Sequence, residues 1–64
     1  MQTGVVKFFN ETKGFGFVVD DVSGQEIFVH VTGLNGTKIR ENDHIQYDVV
    51  EGRKGLNAVN VKKI

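Results

Sequence analysis

The stretch Lys13-Gly14-Phe15-Gly16-Phe17-Val18 contains two phenylalanines two residues apart, with glycine before and between them. Successive side chains of a β-strand point to opposite faces, so Phe15 and Phe17 share one face of an extended segment. The glycines leave the backbone beside Phe15 uncovered, and a flat ligand such as a nucleobase can approach the ring without meeting a neighbouring side chain. The spacing predicts a β-strand that presents aromatic rings for base stacking.

A second run, Ile27-Phe28-Val29-His30, repeats this arrangement further along the chain. Phe28 and His30 share one face of a strand, and Ile27 and Val29 share the other. Pairing of the two runs as a hairpin would place four rings side by side. Because Ile27 and Val29 form an aliphatic face with Val31 in phase, burial of that face leaves Phe28 and His30 outside.

The opposite assignment, with the rings buried, has support in the first run. Most phenylalanines in proteins lie in the core, and the face opposite Phe15 and Phe17 offers only Gly14, Gly16 and Val18. The other strands, however, supply an aliphatic interior that does not need the rings. We therefore favour exposed rings, with a core that adds the following residues to the aliphatic face of the second run: Val6, Val18, Ile45, Tyr47, Val49, Val59 and Val61.

The whole chain has the patterns of an all-β protein, and no window keeps the spacing of an amphipathic helix. Five strands are predicted, over Thr3 to Asn10, Phe15 to Asp20, Glu26 to Val31, His44 to Val50 and Leu56 to Lys63. A long connection over Thr32 to Asn42, with room for one helical turn, separates the first three strands from the last two, and Glu51 to Gly55 forms a hairpin loop. A small closed barrel is expected, because closure removes the exposed edges of an open sheet.

Length and charge restrict the class of protein. The 64 residues are expected to form one domain, residues 1–64, near the lower size limit for a cysteine-free core. Eight basic and eight acidic side chains cancel, which argues against a protein that grips duplex nucleic acid mainly through phosphates. Lys7 and Lys13 nevertheless lie beside the aromatic runs. Since no apolar run reaches membrane-spanning length and no signal-peptide pattern occurs, we expect a soluble, cytoplasmic protein without a membrane partner. We also expect it to be a monomer.

Catalytic chemistry is not expected from this sequence. Two histidines without cysteine make a metal site improbable, and no phosphate-binding loop of the GxxxxGK type occurs. A barrel of this size has its interior filled by side chains, which leaves no room for a small-molecule substrate. The sequence therefore favours a binding protein that is not an enzyme and that has no cofactor.

Three sequence blocks resemble the bacterial cold-shock proteins in their order and spacing. They run from Gly4 to Asn10, from Lys13 to Val18 and from Ile27 to His30, and the last two resemble the two ribonucleoprotein motifs of that family. The segment Gly55 to Val61 resembles the last strand of the family. The resemblance implies a five-stranded antiparallel closed barrel of the oligonucleotide-binding type. Such a barrel holds single-stranded RNA or single-stranded DNA and acts as an RNA chaperone that loosens RNA secondary structure.

The resemblance also implies a nucleic-acid-binding site. Its members are Lys7, Phe8, Phe9, Asn10, Lys13, Phe15, Phe17, Phe28, His30 and Lys54. Three positions depart from the family: Phe8 stands where tryptophan is usual, Val31 where phenylalanine is usual, and Leu56 where proline is usual. The loop from Val31 to Lys38 is shorter than usual and contains no aromatic ring. The implied binding surface is therefore smaller at one end.

Two other binding modules remain as alternatives. A small barrel that docks peptides on its aromatic face is compatible with zero net charge, and it would bind proline-rich peptide but not oligothymidine. An RNA-recognition motif is the second alternative, because the block that begins at Lys13 matches six of the seven specified positions of its signature. The seventh position requires an aromatic residue, and here it is Asp20. The chain also lacks the helices of that fold.

Overall fold

In the computed structural model, which describes residues 1–34, 36–52 and 55–64, the chain forms a closed barrel of five strands. The strands are β1 (Gln2–Asn10), β2 (Phe15–Asp20), β3 (Glu26–His30), β4 (His44–Gly52) and β5 (Gly55–Lys63). A short 3-10 helix, Val31–Leu34, follows β3 and supplies the helical turn for which the connection had room. The all-β closed barrel with five strands is confirmed.

The strand order around the barrel is β1-β2-β3-β5-β4. The pairs β1–β2, β2–β3 and β4–β5 are antiparallel, as predicted, and β1 also pairs with β4 antiparallel. The pair β3–β5 is parallel and is made through Phe28 with Asn57 and Val29 with Ala58. A closed ring with an odd number of strands cannot alternate direction all the way round, so one parallel pair is a geometric necessity. This pair joins the three-stranded meander to the β4–β5 hairpin.

The barrel interior is filled by aliphatic side chains and one tyrosine. Seven predicted core residues are buried: Val6, Val18, Ile27, Val29, Ile45, Tyr47 and Val61. Leu34, Ile39 and Ala58 complete the core and were missed by the sequence pattern, while Val49 packs against it partly buried. Leu34 and Ile39 come from the connection between β3 and β4, so that segment contributes to the interior.

The assignment of Val59 to the inner face is wrong. Ala58 and Val61 are buried in β5, whereas Val59 is half-buried and paired with Asp48. Between the two buried residues, Asn60 has a φ of 53° in the left-handed region, and the β4–β5 register shifts. This irregularity breaks the two-residue alternation, so Ala58 takes the place predicted for Val59.

The third strand ends one residue earlier than predicted. His30 is its last residue, and Val31 begins the 3-10 helix with 47% of its surface exposed. Val31 therefore leaves the aliphatic face formed by Ile27 and Val29. The backbone N–H of Val31 donates to the carbonyl oxygen of Gly14 at 2.8 Å, which fixes the point where the chain leaves the sheet.

A buried carboxylate, Asp20, ties β1 and β4 to the turn after β2. The Tyr47 hydroxyl donates to its Oδ1 at 2.6 Å and Gln2 Nε2 donates to the same oxygen at 2.9 Å. The N–H groups of Val22 and Ser23 donate to Oδ2 at 3.1 and 2.9 Å. These hydrogen bonds, of which the one from Tyr47 has the largest effect, hold the pKa of Asp20 well below its usual range. Burial, together with the bond to Asp20, raises the pKa of Tyr47.

We expect the barrel to lose stability as the pH falls below about 4. Three carboxyl groups have a pKa below the ordinary value of 3.8 because each accepts hydrogen bonds in the folded state. The main donor is Tyr47 for Asp20, His44 for Asp21 and the backbone of Arg40 for Asp43. The folded state therefore binds fewer protons than the unfolded state in acid, so the stabilisation is present above that value and is lost as the pH falls.

Thermal unfolding followed by circular dichroism between about pH 2 and pH 7 measures this loss. The matched variant is Asp20→Asn, whose amide has no charge to lose. We expect Asp20→Asn to melt earlier at neutral pH and to show a weaker dependence on pH. Equal pH dependence in the two proteins would show that Asp20 does not contribute to acid unfolding.

Candidate nucleic-acid interface

Five rings form a continuous cluster on the outer surface of β1, β2 and β3, here called the aromatic patch. Its members are Phe8, Phe15, Phe17, Phe28 and His30. Phe28 lies at the centre, with ring centroids 5.9 Å from Phe15, 5.8 Å from Phe17 and 6.4 Å from His30. Phe8 extends the patch through Phe17 at 5.6 Å and is 39% exposed. These separations are those of rings in contact.

Strand register brings these rings together. Phe17 is paired with Phe8 on one side and with Phe28 on the other, and Phe15 is paired with His30. Directly paired residues of antiparallel strands point to the same face with their Cβ atoms close together. The predicted hairpin of the two aromatic runs is therefore present, and its rings lie on the outside.

Phe8 reaches this face because β1 contains a bulge. Val6 is buried, so strict alternation would turn Phe8 inward as well. The β1–β2 register shifts between Val6 and Phe8, which makes Lys7 an extra residue and reverses the phase beyond it. Phe8 consequently points outward beside Phe17.

The same bulge turns Phe9 away from the aromatic patch. Phe9 is paired with Gly16 and packs against the core from the inner side of the sheet. It also lines a groove of about 240 Å³ with Val31, Leu34 and Ile39. The resemblance implies a site with six rings. Five of them form the aromatic patch, and Phe9 lies apart from it.

Polar site residues lie at the border of the aromatic patch. Lys7 crosses over β2 to Glu26 on β3, with Nζ 2.8 Å from Oε1 in an exposed ion pair. Asn10 stabilises the turn between β1 and β2, because its Oδ1 accepts a hydrogen bond from the Lys13 N–H at 3.1 Å. The Lys13 side chain is exposed. Lys54 lies outside the described residues.

Asn57 is a candidate that sequence reasoning missed. The parallel pairing of β3 and β5 places it directly beside Phe28, and it is half-buried. Its side-chain amide lies against Gly52, where a Cβ atom would collide with it. An amide beside a stacking ring is suited to hydrogen-bonding a base edge. Only the fold brings Asn57 to Phe28, so no local pattern in the sequence could have revealed it.

Thr32 is a second residue that the sequence did not single out. Its backbone N–H donates to Nδ1 of His30 at 3.3 Å, and its Oγ1 lies 3.0 Å from the same nitrogen. His30 is the exposed end of β3, where the 3-10 helix begins. The ring is therefore held by the turn that follows it.

A closed five-stranded barrel that exposes a cluster of rings on its first three strands belongs to the oligonucleotide-binding class of folds. The family model described as the 'Cold-shock' DNA-binding domain matches residues 2–64. The chain belongs to this cold-shock family, which confirms both the resemblance and the barrel type.

Individual relatives match along the full chain. The chain is 42% identical over 67 aligned residues to the cold shock-like protein CspA of Stigmatella aurantiaca, covering all of this chain and 98% of that protein. It is 40% identical to the cold shock protein CspD of Bacillus subtilis, with both chains covered completely. A solved structure of Drosophila Unr, CSD456, superposes with a TM-score of 0.79 at 25% identity, over 98% of this chain and 26% of that one.

Two other features are absent from the part of the chain that the structure describes. Within it, no helix is long and apolar enough to cross a membrane. The same residues include no group of three or more histidine and carboxylate side chains placed to hold a metal ion.

Proposed function

We propose that the chain binds single-stranded RNA and single-stranded DNA by stacking successive bases on the aromatic patch. The observation that carries this proposal is a continuous five-ring cluster on the outer face of a barrel whose core does not include those rings. Phe8 and His30 are exposed, and the three rings of Phe15, Phe17 and Phe28 are half-buried. Rings on the outer face of the sheet do not fill the barrel interior, and base stacking is a use that fits their shape. Membership of the cold-shock family supports the same function.

Stacking explains why such a protein would accept many sequences. Every base has a π-face, so a ring gains roughly 1–3 kcal/mol of binding per stacked base with little dependence on its identity. In a duplex these faces are covered by neighbouring base pairs. Binding to the single strand alone shifts the equilibrium away from paired RNA by mass action. The chain would thus act as an RNA chaperone. The proposal also includes that it is a single cold-shock domain, works in the cytoplasm as a monomer and has no catalytic activity.

The electrostatics of the site favour stacking over phosphate contacts. The net charge is zero. Of the two lysines in the described part of the site, Lys7 is already paired with Glu26. Phosphate contacts are therefore expected to position the strand, while the rings supply most of the affinity.

We expect a shallow dependence of binding on salt. Each phosphate neutralised on a single strand contributes a slope of about −0.7 in log K against log salt, so two or three lysines give roughly −1.5 to −2. Titrations of labelled oligothymidine at salt concentrations between about 50 and 500 mM measure the slope. A slope steeper than about −4 would mean that phosphate contacts dominate and that stacking is secondary.

The function is tested by titrating labelled oligouridine and oligothymidine, with a duplex of the same length as control. The chain contains no tryptophan, so the label belongs on the oligonucleotide and fluorescence anisotropy is the readout. We expect binding of both single strands and much weaker binding of the duplex. Equal affinity for the duplex, or binding of a labelled proline-rich peptide with no binding of either strand, would contradict the proposal.

A further inference from the structure

We infer that Thr32 is a positioning residue that fixes the neutral His30 ring in the tautomer with its proton on Nε2. In this tautomer His30 offers an N–H donor to acceptor oxygens of the bound strand. The role of His30 as a donor to the bound strand rests on the proposed function, whereas the tautomer assignment concerns the free protein alone.

The hydrogen-bond geometry determines which ring nitrogen is the acceptor. A backbone N–H can only donate, and that of Thr32 is directed at Nδ1 of His30 at 3.3 Å. Nδ1 must therefore present its lone pair. A neutral imidazole has one donor nitrogen and one acceptor nitrogen, so the proton lies on Nε2. The Thr32 hydroxyl lies closer, 3.0 Å from Nδ1, and donates to the same lone pair, so the larger part of the preference depends on the Thr32 side chain.

The local backbone explains why the contact forms. β3 ends at His30 and the chain turns at once into the 3-10 helix Val31–Leu34. The N–H of Val31 is used by the carbonyl oxygen of Gly14, which anchors the start of the turn. The next N–H, that of Thr32, has no carbonyl one turn earlier within the helix, so the preceding side chain satisfies it.

The consequence for binding follows from the position of His30. Its ring is exposed and lies beside Phe28 at the border of the aromatic patch. Because Nδ1 is occupied by Thr32, the polar ring atom left for a ligand is Nε2–H, to which no residue in the described part of the chain is hydrogen-bonded. This group can donate to a carbonyl oxygen of a stacked pyrimidine or to a phosphate oxygen, both of which are acceptors. The opposite tautomer would present a lone pair and repel either oxygen.

The tautomer is tested in the wild-type protein without ligand. Ring nitrogen chemical shifts of His30 are recorded by NMR at about pH 8, above the ordinary titration range of histidine. We expect the Nε2–H tautomer in wild type and in Thr32→Ser, which keeps the hydroxyl. Thr32→Val keeps only the backbone N–H, and we expect a measurable population of the Nδ1–H tautomer. A wild-type ring with its proton on Nδ1, or identical tautomer populations in wild type and Thr32→Val, would overturn the inference.

Binding is tested with the same variants. We expect Thr32→Val to bind oligothymidine roughly two- to ten-fold more weakly than wild type, the range for one lost hydrogen bond, and Thr32→Ser to bind as wild type does. Thr12→Val, in the exposed β1–β2 turn, is the matched control for loss of a threonine hydroxyl. If Thr32→Val and wild type bind equally while both remain folded, the donor role is excluded.

A strand with abasic sites at successive positions and unchanged phosphates identifies the acceptor. If the deficit of Thr32→Val disappears when one base is removed, the acceptor is a carbonyl oxygen of that base; if the deficit persists at every position, the acceptor is a phosphate oxygen. Absence of oligothymidine binding by wild type would refute the proposed function and the donor role with it. The tautomer assignment would still be decided by the NMR measurement.

Discussion

Replacement of Phe28 by alanine is expected to weaken oligothymidine binding by roughly 30- to 140-fold, which corresponds to 2–3 kcal/mol, while the barrel remains folded. The expected loss lies at the upper end of the range for one stacked base because Phe28 contacts Phe15, Phe17 and His30. Its removal therefore takes away one platform and loosens three others. Anisotropy titration gives the binding loss and thermal unfolding reports on the fold.

Phe9→Ala is the matched comparison for Phe28→Ala. Phe9 packs against the core, so its truncation should lower the melting temperature more than truncation of Phe28. The two variants together decide which phenylalanines support the fold. A Phe28→Ala protein that unfolds while Phe9→Ala melts as wild type does would show that the two faces were assigned in reverse.

Gly16→Ala is expected to have the largest effect on stability. A Cβ atom at Gly16 would lie 2.7 Å from Cα and 2.8 Å from Cδ1 of Phe9, and closer still to the carbonyl oxygen of Phe8. Two of these atoms are backbone, so β1 and β2 would have to separate. We expect a loss of about 3 kcal/mol or more, and a fall in melting temperature of more than about 10 °C. Because a domain of this size has only about 3–5 kcal/mol of stability, part of the protein would be unfolded at 25 °C.

Gly52→Ala is the control for the added methyl group. There the obstructing atoms belong to the side-chain amide of Asn57, which can rotate away. Its melting temperature is expected to stay within a few degrees of wild type. If Gly16→Ala also melts within a few degrees of wild type, the close approach of β1 and β2 at this position is not required.

The sequence predicted the features that depend on local alternation. Phe15 and Phe17 in one run, and Phe28 and His30 in the other, share a face because each run is a regular strand, and the β2–β3 hairpin pairs them in register. The aliphatic face of Ile27 and Val29 was predicted for the same reason and is buried. Regular strands joined by a short turn leave little freedom in which residues meet.

The remaining features depend on where the alternation breaks and on contacts distant in sequence. The bulge at Lys7 turns Phe8 outward and Phe9 inward, and the irregularity at Asn60 exchanges Val59 for Ala58. Lysine at position 7 fits an ordinary strand equally well. Asparagine tolerates the positive φ found at Asn60, but a single asparagine in a strand does not by itself predict where the alternation breaks. Residues that border the patch from distant strands, such as Asn57 beside Phe28, depend on which strands become neighbours when the barrel closes. No local sequence pattern specifies that strand order.

The most direct test of base stacking on the aromatic patch compares oligothymidine with a strand of the same length and charge whose bases are removed at successive positions. The phosphates are unchanged, so any loss of affinity belongs to the bases. We predict that each abasic position facing the patch weakens binding by about 1–3 kcal/mol and that a fully abasic strand does not bind measurably. Equal binding of the abasic strand and oligothymidine would contradict the account, because the rings would then contribute nothing to recognition.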